Sequence, residues 1–346
     1  MTPLSRVSRR ALLRASAQIG ALAAAGAIFD GDGVVFGAPP ARPSWRWSFA
    51  PTNPVLRLVA PWDTLACYDC CPVRRADGAL WLYYSTRGKL PYSIGLAIDA
   101  TGRGDRLVDT GRPVLMAPPD TRYGLSRPSV ARQPDGQWRM WYSKTDTDHP
   151  WIGTALSADG LAWALHPGPV LTTRYAWEGA AVQCPNVIYD ASSQRYRMWY
   201  SGGPAYEPYA VGFATSSDGV NWTRHSSAPV FSPADKIGAW DGGQIGSFTV
   251  QFVDGWYYAF YNAFQKQPFV SCIGAARSRD GVTGWERHPA NPLIIPRMDG
   301  EWSAGMVYKP APLWDPGANR WNLWFNASPY LNGPEQIGYA WSDGQW

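Results

Sequence analysis

Tyr196-Arg-Met-Trp-Tyr-Ser201 is followed by Val211-Gly-Phe-Ala214, and then by Asp218-Gly219 and Trp222. The first segment has the aromatic, alternating character of a strand, the second is a short apolar strand centred on Gly, and Asp-Gly is a hairpin-turn signal. This order recurs along the chain. Further aromatic segments ending in Ser or Asn are Leu80-Trp-Leu-Tyr-Tyr-Ser85, Trp138-Arg-Met-Trp-Tyr-Ser143, Trp256-Tyr-Tyr-Ala-Phe-Tyr-Asn262 and Trp321-Asn-Leu-Trp-Phe-Asn326. The last residues of the five copies lie 58, 58, 61 and 64 positions apart. A unit of about 60 residues suits four short strands with their loops, which is one propeller blade.

The neighbours of the aromatic segment repeat with it. Before it stand Cys71-Pro72-Val73, Arg127-Pro128-Ser129-Val130, Cys184-Pro185-Asn186-Val187, Ser247-Phe248-Thr249-Val250 and Lys309-Pro310-Ala311-Pro312. After it stand Ile94-Gly95, Ile152-Gly153, Val211-Gly212, Ile273-Gly274 and Ile337-Gly338, with Asp-Gly turns following at 159, 218, 280 and 343. Each blade therefore reads as strands A to D. The fifth D strand is supplied from the other end: Trp47 to Leu56 matches Trp285 to Ile294, down to Asn53-Pro54 and Asn291-Pro292. The expected fold is all-β, a five-bladed β-propeller over 45–346, whose four-stranded antiparallel blades include a last one closed by the N-terminal strand. Closure of that kind removes the free sheet edge.

Composition agrees: 20 Trp, 18 Tyr, 35 Gly and 31 Pro with 17% charged residues favour short strands and tight turns over long helices. Ser8-Arg9-Arg10-Ala11-Leu12-Leu13-Arg14 resembles a twin-arginine export motif, and Ala15 to Phe29 is a weakly apolar run without charge. That run is shorter than the roughly 20 strongly apolar residues of a spanning helix. Residues 1–40 are accordingly set aside as a signal segment, predicting a periplasmic or secreted protein. Membrane contact is expected only if the signal stays uncleaved. The net charge of +4 falls without Arg6, Arg9, Arg10, Arg14, Asp30 and Asp32, and no Lys/Arg run occurs elsewhere. Nucleic acid is not an expected partner; a monomer is. The five cysteines include Cys67, Cys70 and Cys71, but no second pair completes a zinc set, so neither metal nor cofactor is expected. They read as small buried residues or one disulfide.

The blade pattern over residues 45–346 resembles the propeller glycoside hydrolases of families 43 and 32, the arabinanase, xylosidase, levansucrase and invertase group, with the mannoside phosphorylases of family 130 as relatives. The resemblance implies three carboxylates on inner strands around the channel mouth: a nucleophile or base, an acid, and one that orients. Cleavage through an oxocarbenium-like state needs a proton at the leaving oxygen and a carboxylate facing the anomeric carbon. Invertase-type Asn-Asp-Pro, Arg-Asp-Pro and Glu-Cys-Pro motifs correspond here to Cys70-Cys71-Pro72, Ser126-Arg127-Pro128 and Gln183-Cys184-Pro185. Gln183 stands where the acid would be, and an amide supplies no tuned proton. The usual triad is absent from its usual positions.

Other residues are then candidates. Counting back from the A-strand proline puts Asp69 in a slot held elsewhere by Leu125, Val182, Ile245 and Val307, so it either lines the channel or holds a structural hydrogen bond. Glu178 and Asp241 each follow a Trp at the start of an A segment, matched by Trp62-Asp63 and, permuted, by Glu301-Trp302. That recurrence suits a structural carboxylate as well as a catalytic one. Glu178 is the first candidate for general acid, since the third blade supplies it in invertase-like members; Asp241 is the alternative, as in arabinanase-like ones. Arg127 and Lys309, before their prolines, suit a phosphate, a carboxylated sugar or a charged catalytic acid. His166, His225 and His288 repeat three residues after a D-strand Trp and are expected outside the channel. His149 escapes that pattern and, with Tyr206-Glu207 and Glu335, lies on loops suited to rim the mouth.

The expected catalytic residues are thus Asp69, Glu178 and Asp241, with Trp62, Arg127, Gln183, Lys309 and His149 contacting a carbohydrate. The expected function is an exported glycoside hydrolase. The alternatives are a non-catalytic carbohydrate-binding propeller, which Gln183 favours, and a glycoside phosphorylase or transferase.

Overall fold

The computed structural model describes residues 27–30, 33–36, 45–58, 64–88, 91–118, 124–144, 149–204, 208–236, 238–265, 270–342 and 346. The chain divides into residues 1–44 and residues 45–346. In the first unit β1 (Ala27–Asp30) and β2 (Gly33–Phe36) pair antiparallel. The second unit holds five antiparallel sheets. It begins with β3 (Ser48–Phe49). Blade 1 is β4 (Ala66–Arg74), β5 (Leu80–Arg87), β6 (Ser93–Asp99) and β7 (Val108–Asp109), with β8 (Leu115–Met116) also on β6. Blade 2 is β9 (Leu125–Arg132), β10 (Trp138–Lys144), β11 (Trp151–Ser157) and β12 (Ala164–Leu165). Blade 3 is β13 (Ala181–Asp190), β14 (Arg195–Gly203), β15 (Ala210–Ser216) and β16 (Thr223–Arg224). Blade 4 is β17 (Gln244–Val253), β18 (Trp256–Phe264), β19 (Ser271–Ser278) and β20 (Glu286–Arg287). Blade 5 is β21 (Met306–Asp315), β22 (Arg320–Ser328) and β23 (Gln336–Ser342), completed by β3 through Ala340↔Phe49 and Trp341↔Ser48. The N-terminal strand closes the ring as expected.

The matched Asn-Pro segments do the same work at both joints. Asn53 accepts from the Tyr339 N–H at 2.9 Å and donates to its carbonyl at 2.9 Å; Asn291 does so with Ala275 at 2.9 and 2.8 Å. Each side chain thereby completes the backbone pairing of a C strand where the D strand leaves it.

The Ser or Asn ending each aromatic strand latches one blade to the next. Ser85 Oγ accepts the Arg127 N–H at 2.6 Å, Ser143 Oγ that of Cys184 at 2.9 Å, Asn262 Oδ1 that of Lys309 at 3.3 Å, and Asn326 Oδ1 that of Asp69 at 2.9 Å. Ser201 instead donates to the Gly246 carbonyl at 2.6 Å. All five latches fall where the inner strand bulges out of register with its neighbour, leaving backbone groups that need partners.

A second set of stitches lies further out. Tyr83 Oη, Trp141 Nε1, Trp199 Nε1 and Trp324 Nε1 donate to the turn carbonyls of Gly160, Gly219, Gly281 and Gly104 on the following blade, at 2.7–3.0 Å. Gly219 has φ +74°, and a Cβ there would lie 2.9 Å from Trp141 Cζ2. Gly219→Ala is therefore expected to destabilise by about 1–2 kcal/mol, the cost of a left-handed L-residue. Denaturant unfolding would register this as a lower midpoint at constant slope. Rings fill the wedge between neighbouring blades: Trp199 packs on Phe213 and Tyr257, and Phe231 on Phe248 and Tyr261. Such contacts make adjacent blades one core.

Candidate active site in the propeller channel

Hairpin register re-aligns the inner strands. Tyr68, Ser126, Gln183 and Tyr308 face Ser85, Ser143, Ser201 and Asn326 of their B strands. The next residue in each blade is therefore equivalent: Asp69, Arg127, Cys184 and Lys309, joined by Ser247 in blade 4. Asp69 does not share its slot with Leu125, Val182, Ile245 and Val307, as the prolines suggested; it sits two positions along. Pro72 is displaced relative to Pro128, Pro185 and Pro310, and the bulge conceals the displacement. Asp69, Arg127, Cys184 and Lys309 all have left-handed φ, at 49°, 57°, 52° and 52°. The blade-to-blade latches hold each of these conformations.

This ring crosses the channel. Arg127, Cys184, Ser247 and Lys309 line cavities on both sides of it, one of about 420 Å³ and one of about 440 Å³. Asp69, 7% exposed, lies between cations from its two neighbouring blades: Arg127 Nε is 3.2 Å and Lys309 Nζ 3.0 Å from the same oxygen, Oδ2. Arg127, only 3% exposed, also donates through Nη1 to Gln183 Oε1. Asp69, Arg127, Gln183 and Lys309 thus come together from four of the eight candidate positions. Gln183 is fully buried, a neutral strut for Arg127.

The 440 Å³ cavity is walled by the C-terminal halves of the inner strands, including Cys70, Cys71 and five A-strand prolines. All five thiols are free. Burial pushes the Cys71 thiol up to about 11 against the opposing Val130 N–H, so it stays a protonated, unreactive thiol.

The 420 Å³ cavity has more chemistry. Tyr68, Tyr92, Tyr308, Phe264 and Asn262 line it, together with Arg87, Arg127, Lys309 and Glu335. Lys309 Nζ lies 4.6 Å from the Tyr68 ring centre, and Tyr68 meets Tyr92 edge-on at 6.3 Å. Glu335 stands just before β23, where its carbonyl accepts the Cys67 N–H at 3.0 Å. Its Oε2 is sealed from solvent and makes no hydrogen bond among the described residues. Burial raises the Glu335 carboxyl above its ordinary range. The Lys309 charge and the Tyr308 hydroxyl oppose that, Asp69 reinforces it, and Arg87 opposes it. The net result favours the protonated acid. Sequence reading placed Glu335 on the rim without a role, and it overlooked Arg87, Tyr68, Tyr92 and Tyr308. Aligning the A strands on their hairpin partners would have paired Tyr68 with Tyr308 and exposed that wall.

Glu178 and Asp241 are elsewhere. Glu178 ends a 3₁₀ turn over Ala176–Glu178 and is fully buried. Its Oε1 accepts from Tyr200 Oη and Arg224 Nε, both at 2.7 Å; its Oε2 accepts from the Arg174 and Tyr175 N–H groups and from Arg224 Nη2. Burial alone would raise its carboxyl, but Arg224, the Tyr175 N–H, Tyr200 and the Arg174 N–H together hold it below the usual range. Asp241 repeats the arrangement: its Oδ2 accepts from Tyr261 Oη at 3.0 Å and Arg287 Nε at 2.7 Å. The preceding tryptophans stack on the same tyrosines, Trp177 on Tyr200 and Trp240 on Tyr261. Neither carboxylate lines either channel cavity. Both belong to a clamp of Trp, acid, B-strand Tyr and D-strand Arg that pins the start of an inner strand. His149 is exposed and lines neither cavity, and Trp62 lies outside the described residues. His166, His225 and His288 hold equivalent D-strand positions, their N–H groups donating to Thr154, Phe213 and Ala275.

No family model and no curated protein matches the sequence. Solved structures do. The chain has the five-bladed fold of known glycoside hydrolases. It superposes on a glycosyl hydrolase from Bacteroides ovatus with a TM-score of 0.66 at 18% identity, covering 86% of this chain and 92% of that one. It also matches a structure from the family of mannoside phosphorylases containing glycoside hydrolases that target β-1,2-mannosidic linkages in Candida mannan, with a TM-score of 0.65, 18% identity and coverage of 88% and 95%. A third is an N-acetylgalactosamine deacetylase from F. plautii in complex with blood group B trisaccharide, with a TM-score of 0.66, 17% identity and coverage of 86% and 95%. Those descriptions span different reactions on sugars, so the shared fold leaves the chemistry to be argued from the site.

Proposed function

We propose that this chain is a glycoside-active enzyme that takes a sugar unit into the 420 Å³ cavity, with Glu335 as proton donor. The observation that carries the reading is Glu335 itself, the carboxyl lining that cavity among the described residues, with burial favouring its acid form. A departing glycosidic oxygen needs such a proton as the C–O bond breaks. The tyrosine faces suit a sugar ring, whose C–H groups pack on aromatic surface. Asp69, gripped by Arg127 and Lys309 at the channel centre, is the candidate second carboxylate, either activating water or holding the two cations in place. Structural neighbours described as acting on glycosides support the reading. The twin-arginine-type segment supports export, which cell fractionation of the wild type and an Arg9→Lys/Arg10→Lys precursor would check.

The test is product release from a panel of aryl furanosides, aryl pyranosides and polysaccharides by wild type, Asp69→Asn and Glu335→Gln. Loss of turnover in Glu335→Gln with intact folding is the expected result. Turnover undiminished in both variants would move the site elsewhere. One observation favours a second reading, a non-catalytic carbohydrate-binding propeller: Gln183 is neutral, while Glu178 and Asp241 are fully engaged away from the channel. Sugar binding by the wild type without turnover on any substrate would establish it.

A further inference from the structure

We infer that the substrate's leaving group is an apolar alcohol, alkyl or aryl, seated on Leu331 at the mouth of the 420 Å³ cavity. This substrate class rests on the glycoside-active reading above. The oxygen that Glu335 protonates belongs to the leaving group, so the surface beside Glu335 is the surface that group meets. That surface is apolar. Leu331 lines the cavity with Pro208, Phe264 and Met306. It carries the apolar lining out to solvent, being 54% exposed where Phe264 is 4%. Tyr330, beside it in the chain, is 60% exposed, and Leu65, one residue before the Ala66 that bridges to Glu335, is 52% exposed. Large apolar side chains left open around one functional carboxyl mark a contact surface.

The turn that presents Leu331 is held in place. The Gly333 N–H donates to the Tyr330 carbonyl at 2.8 Å, closing a four-residue turn with Asn332 at a left-handed φ of 61°. Ser328 Oγ donates to the same carbonyl at 3.0 Å. A Cβ on Gly305 would lie 2.3 Å from Tyr330 Cα, so the turn rests on the backbone that leads into β21. Asn332 and Gly333 are residues that such a turn calls for, whereas nothing local calls for Leu at 331. Leu331, Asn332, Gly333 and Glu335 all line the cavity, so the segment that carries the proton donor also forms this side of the mouth. A further sugar as leaving group would press hydroxyls against aliphatic surface and strip them of water. An alkyl or aryl group would cover the same surface favourably.

The experiment takes the sugar that the aryl glycoside panel selects and compares kcat/KM on its methyl, butyl and hexyl glycosides and on its disaccharide. The three alcohols are similarly basic, so differences among them report contact rather than bond lability. Calorimetry with methyl and hexyl glucosides, galactosides and mannosides accompanies it. Wild type is expected to cleave the hexyl member about tenfold faster than the methyl member, a modest return for five added CH₂ groups on a half-open surface. It is also expected to prefer the hexyl member to the disaccharide. Leu331→Ser should cut the hexyl-to-methyl ratio to about threefold or less, and Leu331→Phe should keep most of it. A flat alkyl series, or preference for the disaccharide, would overturn the apolar leaving group while leaving glycoside activity standing. A ratio that survives Leu331→Ser would overturn the seat at Leu331. If no glycoside is cleaved, the glycoside-active reading fails and calorimetry decides: tighter hexyl binding that weakens in Leu331→Ser sustains the apolar site, and equal binding overturns it.

Discussion

Glu335→Gln is expected to lower kcat by about 10²–10⁴-fold, the usual contribution of a positioned general acid, with a thermal midpoint close to that of the wild type. The amide is nearly isosteric, so the Cys67 N–H still finds the residue 335 carbonyl and the cavity keeps its shape. What disappears is the proton. The pH profile gives a second readout. Because burial raises the Glu335 carboxyl against the opposing Lys309 and Tyr308, the acid stays protonated above the ordinary value of 4.5. The descending limb of kcat/KM should therefore lie on the alkaline side of that value. Lys309→Met removes a charge that opposes the rise, so it should carry the limb to still higher pH. A limb that does not respond to Lys309 would dissociate it from Glu335.

Glu178→Ala is expected to destabilise the protein by about 3–5 kcal/mol, the range for a buried pair broken from one side, while the folded fraction keeps its specific activity. Five hydrogen bonds converge on this carboxylate, including two from Arg224 and one from Tyr200. Removing it strands a largely buried guanidinium and frees the turn that starts β13. The pH sign follows from the depressed carboxyl. Its contribution to stability is fully present above the unfolded-state value and is lost as pH falls through the lower folded-state value. Acid unfolding of wild type and Glu178→Ala should thus converge at low pH. Loss of activity without loss of stability would restore Glu178 as a catalytic acid. Asp241→Ala should show a smaller deficit of the same kind, because Arg287 is 34% exposed against 9% for Arg224 and so recovers water when released.

Much of this was legible from repetition. Five aromatic strands ending in Ser or Asn, four of them with an Asp-Gly turn behind, specify blades because each residue type answers a local need: rings for the wedge, a small polar group for the latch, glycine for a left-handed turn. Asn53 and Asn291 likewise disclosed the closure, since the same side chain meets the same C-strand backbone twice. Arg127, Gln183, Lys309 and Asp69 were singled out as oddities within the repeat, and they meet in one network. Glu178 shows the complementary case: its Trp-acid pair is visible in sequence, whereas the Tyr200 and Arg224 that bond the carboxylate lie 22 and 46 residues away.

Sequence alone therefore determined the blade count, the strand order and the join between the ends, all of which depend on local patterns repeated at short range. Tertiary structure decided which residues share the channel. A bulge in each inner strand shifts register without leaving a consistent mark on the prolines, so only strand pairing shows Asp69 level with Arg127 and Lys309. The electrostatic coupling of Glu335 in the last blade to Arg87 in the first exists only once the ring is closed.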